Sequence, residues 1–237
     1  MASEGRRPYV PGFQEDVFLS YAHVDNLEGW VGDLHTLLDK RLQGVLGPNV
    51  RTWRDLRLHA GDALWEKLEP TVSGSALFVT ILSPSYVQST ACRREARHFY
   101  ERAQSRDQLR VGTTCRLVQV VKTPFEHHPE SRFLEEIESI QCRFFAPVAL
   151  DQPRFTAFPS REGLPHYSDF DTTLNNLVQQ LADILKTMRA KLARLAPGTP
   201  RVSVFLAAPA ADRSQDRAFV AQEIGDLCEL RPTGALP

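Results

Sequence analysis

Long apolar runs, cysteine pairs and an excess of either charge are all missing from this 237-residue chain. No stretch approaches the ~18 apolar residues of a membrane span. The basic residues Arg6 and Arg7 near the start are followed by no continuous apolar stretch, so no secretory signal is expected. These features predict a cytoplasmic protein with no membrane partner. With 28 Lys and Arg against 29 Asp and Glu, the formal net charge is -1 and supplies no electrostatic reason to expect direct nucleic-acid binding. The four cysteines, Cys92, Cys115, Cys142 and Cys228, are widely spaced and form no C-x-x-C pair, which argues against zinc and against a disulfide framework. Reduced, mostly buried thiols are expected. Glu126-His127-His128 places two adjacent imidazoles in a loop without further ligands at metal spacing, so no metal site is assigned. The phosphate-cradling patterns G-x-x-x-x-G-K-[ST] and G-x-G-x-x-G and the hydrolase pattern G-x-S-x-G do not occur.

What the chain does have is an alternation of two periods. Hydrophobic residues make up 42% of it, enough for one full-sized core. Val17-Phe18-Leu19 is a first short apolar strand, and Trp30, Leu34, Leu37, Leu38, Leu42 and Val45 recur at helical spacing until Gly44 to Pro48. A strand is predicted over Val50 to Trp53, then a charged loop over Arg54 to Asp62. Leu64, Trp65, Leu68 and Val72 stripe the next helix, which Gly74 closes. Ala76 to Leu82 is apolar throughout, as a strand buried on both faces of a parallel sheet must be. Beyond Ser83-Pro84 a helix is predicted from Thr90 to Arg106, a strand over Leu117 to Val121, a helix over Phe133 to Ile140 and a fifth strand over Cys142 to Phe145. Prolines 147, 153, 159 and 165 predict an irregular excursion over 146–168, before a long helix from Phe170 to Leu195. The sum is an α/β fold: a central five-stranded parallel sheet flanked by helices.

Four segments in order carry a family resemblance. They are Asp16-Val17-Phe18-Leu19-Ser20-Tyr21; Trp53-Arg54-Asp55 with Ala60-Gly61-Asp62; Ile81-Leu82-Ser83-Pro84-Ser85-Tyr86 with Ser89 and Cys92 to Glu95; and Val118-Gln119-Val120-Val121-Lys122. Together they resemble a Toll/interleukin-1 receptor (TIR) domain of the bacterial, NAD-cleaving type, over roughly Glu15 to Leu195. The resemblance implies a flavodoxin-like TIR fold and an NAD+ hydrolase that splits the nicotinamide–ribose bond into nicotinamide and ADP-ribose or a cyclic variant. NAD+ is then substrate, and no cofactor is implied. Glu95 stands at the position of the catalytic carboxylate. A single carboxylate facing an oxocarbenium-like ribosyl suffices there, because nicotinamide leaves from a cationic pyridinium without a general acid. The simpler reading of Glu95 is a solvated helix residue paired with Arg94, Arg97 or His98.

Ser20, Tyr21, Ala22 and His23 end the first strand, where open α/β sheets place ligands. Backbone amides and a hydroxyl there are candidates to line the nucleotide site, with Trp53 or Trp65 as stacking surfaces and Asp55 beside them. Core packing is the alternative for each tryptophan, and a structural loop role for His23. The family's BB loop corresponds to Arg54, Leu56, Ala60, Gly61 and Asp62, which implies gating of the pocket and assembly with other TIR domains, as a homo-oligomer or filament. Ala60 replaces the commoner Pro of that loop. Arg93, Arg94, Arg97, Arg102 and Arg106 line one helix with mixed acids and read as an interface or a solvated face. The resemblance also admits a non-catalytic adaptor that signals through TIR–TIR contacts.

Outside the expected domain, residues 1–14 are predicted to be a disordered tail. Pro197-Gly198-Thr199-Pro200 reads as a linker. Beyond it, Val204-Phe205-Leu206 echoes Val17-Phe18-Leu19, and Asp212 echoes Asp25 at the same offset, followed by a predicted helix over Ser214 to Leu227. Too short to bury a core alone, residues 201–237 read either as a segment that packs on the first domain or as the start of a second α/β module truncated in this chain, and the family resemblance favours the second.

Overall fold

A computed structural model describes residues 7–54, 62–125, 129, 132–149, 152–195, 203–205 and 229–231. Strands β1 (Glu15–Tyr21), β2 (Thr52–Arg54), β3 (Ser75–Leu82), β6 (Leu117–Val121) and β7 (Gln141–Arg143) form one parallel sheet in the order β2-β1-β3-β6-β7. Two short strands, β4 (Arg110–Val111) and β5 (Thr114–Cys115), make a hairpin ahead of β6. The helices are α1 (Trp30–Leu46), α2 (Asp62–Ser73), α3 (Pro84–Gln88), α4 (Thr90–Ser105), α5 (Arg132–Glu136) and α6 (Tyr167–Leu195). The expected five-stranded parallel α/β architecture is the one found.

β1, β3 and β6 are buried along their whole length, the consequence of helices packed on both faces. On one face Phe18, Phe78 and Leu82 meet Leu68 and Val72 of α2, Ala96, Phe99 and Ala103 of α4, and Leu134 of α5. On the other, Trp30 of α1 meets Phe144 and Phe170 edge-on, at 5.7 and 5.9 Å between ring centres. Arg41 of α1 pairs there with Asp171 of α6.

Three expectations need correction. β2 begins at Thr52 rather than Val50, because Val50 is buried ahead of the strand and only Thr52, Trp53 and Arg54 pair with Val17, Phe18 and Leu19. The stretch after the fifth strand is not irregular throughout: β8 (Phe145–Ala149) and β9 (Gln152–Ala157) pair antiparallel, with a register shift between Pro147 and Ala149. Residues 7–14 are not a loose tail, since the fully buried carboxylate of Asp16 accepts the backbone N–H groups of Tyr9 and Val10, both at 2.8 Å, and Val10 is itself fully buried.

The chain divides into two compact units, Met1–Arg189 and Ala190–Pro237. In the second, β10 (Ser203–Phe205) pairs in parallel with β11 (Glu229–Arg231). The expected linker and the expected helix over 214–227 lie outside the described residues.

Candidate functional site

Glu95 reaches the carboxyl-terminal end of β1 because two periodicities match. Phe18 and Ser20, two apart on a strand, point to the same sheet face about 6.6 Å from each other. Glu95 and Phe99, four apart on α4, lie on one helix face about 6 Å apart. Phe99 stacks on Phe78 at 5.0 Å, Phe78 stacks on Phe18 at 5.2 Å, and Phe18 stacks on Trp53 at 4.7 Å. With that aromatic row anchoring one turn of α4, the preceding turn brings Glu95 over Ser20. Ser20 Oγ donates to Glu95 Oε2 at 2.6 Å. The distance is that of a charge-assisted O–H···O⁻ bond.

Beneath this pair lies Tyr86, which is completely buried. Its hydroxyl stands 3.0 Å from Ser20 Oγ and 3.3 Å from the carbonyl oxygen of Cys92. Two caps hold the segment: Ser83 Oγ accepts the N–H of Tyr86 at the start of α3, and Ser89 Oγ accepts that of Cys92 at the start of α4. Pro84 occupies the first turn of α3, as its missing N–H allows. Burial pushes the Tyr86 phenol well above its ordinary value, with the nearby Cys92 and Glu95 adding to the shift. Burial likewise pushes the Cys92 thiol up to about 12, so it is a packing residue rather than a nucleophile.

A second polar cluster sits at the same edge of the sheet. Asp25, buried in the short 3-10 turn His23–Asn26 after β1, accepts a 2.5 Å bond from Ser83 Oγ. Lys122, just past β6, donates to the Asp25 carbonyl at 2.8 Å and lies 3.4 Å from its carboxylate. The loop after β1 is thereby tied to the ends of β3 and β6.

The remaining predicted residues divide. Ser20, Tyr21 and Ala22 are buried, and the Ser20 hydroxyl is engaged with Glu95 rather than open to a nucleotide. His23 is half-buried, edge-on to Tyr21 at 5.4 Å. Trp53 is half-buried in the aromatic row. Trp65 of α2 packs edge-on to His98 at 5.3 Å, with the Arg94 guanidinium 4.4 Å above its ring, so it flanks the turn of α4 that carries Glu95. Arg54 ends β2, and Asp62 begins α2. Asp55, Leu56, Ala60 and Gly61 lie outside the described residues, as do Glu126, His127 and His128. Arg93 leaves the expected basic face, because it is buried and donates to the Val87 carbonyl at 2.6 Å. Arg97 instead covers the Phe133 ring at 5.0 Å. Sequence reasoning missed Tyr86 and Asp25 as parts of the site, although both fall inside or beside quoted segments. Their signal was a polar group next to a strand end that the topology brings to the sheet's carboxyl edge.

Among the described residues no group of three or more His, Cys, Asp or Glu side chains is arranged to hold a metal ion. No described helix is long and apolar enough to cross a membrane. Cys92, Cys115 and Cys142 are buried free thiols, while Cys228 lies outside the described residues.

Solved structures with a similar course include the TIR domain of the Toll-related receptor TRR-2 from Hydra magnipapillata, at 15% identity and TM-score 0.41, covering 71% of this chain and 98% of that one. The TIR domains of the activated Roq1 resistosome, which directly recognises the effector XopQ, match at 16% identity and TM-score 0.37, covering 77% of this chain and 100% of that one. The flavoenzyme NAD(P)H:(acceptor) oxidoreductase FerB from Paracoccus denitrificans matches at 11% identity and TM-score 0.37, covering 73% of this chain and 98% of that one. No curated protein matches. The family model described as TIR domain matches residues 17–149, more than half the chain, and the protein belongs to that family.

Proposed function

We propose that this TIR domain is an NAD+ hydrolase with Glu95 as its catalytic carboxylate. The supporting observation is the half-buried Glu95 side chain, fixed by the 2.6 Å bond from Ser20 at the carboxyl edge of the sheet, where ligands of open α/β folds bind. In the reaction the bond between ribose C1′ and the pyridinium nitrogen breaks, and its electron pair neutralises the departing nicotinamide. Water adds to C1′ and loses one proton, leaving ADP-ribose. A fixed anion beside the ribose stabilises the positive charge that builds on C1′ and its ring oxygen. NAD+ and water are the only reactants, and no cofactor takes part. Half-buried His23 and Trp65 supply surface for the nucleotide. Self-assembly through TIR–TIR contacts in a cytosolic setting fits this reading, with the role of a bacterial immune effector.

A second reading, recruitment of other TIR domains without turnover, draws on the apolar side chains of the loop after β1. Val24 is 52% and Leu27 79% exposed.

Concentrated purified protein incubated with NAD+ and followed by nicotinamide release separates the two. The hydrolase reading expects turnover that falls about a hundredfold or more in Glu95→Gln. Absence of turnover at high concentration, or undiminished turnover in the variant, rejects it in favour of the recruitment module.

A further inference from the structure

We propose that Tyr86, acting through Ser20, is a positioning residue that fixes the Glu95 carboxylate for its work on the substrate ribose. The inference rests on the hydrolase reading and assigns the groups behind its catalytic residue.

Proton counting carries it. A serine hydroxyl has one hydrogen, and the shorter contact of Ser20, 2.6 Å, directs it at Glu95 Oε2. For the 3.0 Å contact between Ser20 Oγ and the Tyr86 hydroxyl to be a hydrogen bond, the phenol must then be the donor. The competing acceptor, the Cys92 carbonyl, is more distant at 3.3 Å. The chain therefore runs one way, from phenol to hydroxyl to carboxylate, each bond polarising the next. Tyr86 is fully buried, so no solvent competes for its proton. Its phenol is held far from ionisation, so it stays a donor across the physiological range.

The three residues come from three different elements. Ser20 belongs to β1, Tyr86 to α3 and Glu95 to α4. Each is set by separate constraints: register pairing of Ser20 with Thr80, the Ser83 cap on Tyr86, and the Phe99 stack one turn from Glu95. One oxygen of a carboxylate on a flexible three-torsion side chain thereby has a fixed donor before substrate arrives, which is the preorganisation that electrostatic catalysis requires.

The test compares Tyr86→Phe, Ser20→Ala and the double variant in two measurements. In NAD+ turnover, Tyr86→Phe lowers kcat about tenfold, the loss of one hydrogen bond to a charged chain, with KM for NAD+ within about twofold. The acid limb of its pH profile moves to higher pH, because the ionised carboxylate has lost stabilisation. Ser20→Ala is more severe, and the double variant is no worse than Ser20→Ala alone. In a carbon-13 NMR titration of the Glu95 carboxyl group, both single variants titrate about one unit higher than the parent. A purely structural tyrosine would lower thermal stability while leaving the acid limb and the titration unmoved. That outcome overturns the proposal even if Glu95 is catalytic. Should the parent protein show no turnover, the hydrolase reading fails, and the NMR titration still decides whether Tyr86 acts on Glu95.

Discussion

Lys122 and Asp25, 97 positions apart in sequence, are joined at the carboxyl edge of the sheet: the ammonium lies 2.8 Å from the Asp25 carbonyl and 3.4 Å from its carboxylate. The Lys122 ammonium also sits 5.5 Å from the centre of the Trp30 ring. Both side chains are largely removed from solvent, at 17% and 9% exposure. Replacing only the cation leaves a buried carboxylate that keeps the Ser83 hydroxyl as a donor but has no compensating positive charge from Lys122. Lys122→Met is therefore expected to lower stability by about 3 kcal/mol in urea unfolding. Adding Asp25→Asn to that variant recovers part of the loss, because the unpaired charge goes with it. Additive losses would show that the two side chains do not interact.

A destabilising contribution from His35 on mild acidification is the second expectation. Burial pushes the His35 imidazole below its ordinary value, with Arg54 adding to the shift against the opposing pull of Asp39. His98 is lowered too, first by burial and then by Arg102 and Arg94, against Glu69 and Glu101. For both, the unfolded chain binds the proton more readily, so the stability they contribute is complete above the unfolded value, ~6.5, and is lost as pH falls through the folded value. Burial raises Glu15 and Asp16, which act in the opposite sense: their contribution is complete below the unfolded carboxylate value and lost as pH rises through the folded one. Because the two sets oppose each other, the test is a difference: between pH 7 and pH 5 the urea midpoint of the parent should lose more, or gain less, than that of His35→Gln, which lacks the imidazole. An equal slope in that variant would remove His35 from the account.

The sheet was legible because its strands are sealed on both faces, and Ser75–Leu82 and Leu117–Val121 admit little besides apolar residues. The hairpin over 145–157 was hidden by Pro147 and Pro153, which mimic a loop. An isolated antiparallel pair tolerates proline where the ladder needs no N–H, and here the register slips beside Pro147. The placing of Glu95 on a helix after the third strand was legible from its motif, but its contact with Ser20 was not. Whether a serine at a strand end faces solvent or a helix depends on which helix covers it, and α1, β2, α2, β3 and α3 all lie between Ser20 and α4 in the chain. Tyr86 stands in the same motif with no role of its own assigned from sequence, and only the fold brings its hydroxyl to 3.0 Å from Ser20.

Gly74 stands where the chain turns from α2 into β3, and its lack of a side chain is a packing requirement rather than a conformational one. A β-carbon placed there would lie 2.8 Å from the carbonyl oxygen of Pro70 and 2.9 Å from Cδ of Gln14. The backbone is pinned on both sides: Gly74 N–H donates to Pro70 at 2.8 Å, and its carbonyl accepts from the Gln14 N–H at 2.7 Å. The Gln14 side chain can swing away, whereas the Pro70 carbonyl belongs to the last turn of α2 and cannot move without breaking that hydrogen bond. Gly74→Ala is accordingly expected to cost about 1–3 kcal/mol, a fall of several degrees in Tm for a protein of this size. Combining it with Gln14→Ala relieves the softer contact and restores only part of the loss. Complete restoration would locate the conflict in the Gln14 side chain, and an unchanged Tm in Gly74→Ala alone would mean that the turn opens freely and the junction does not fix how α2 meets β3.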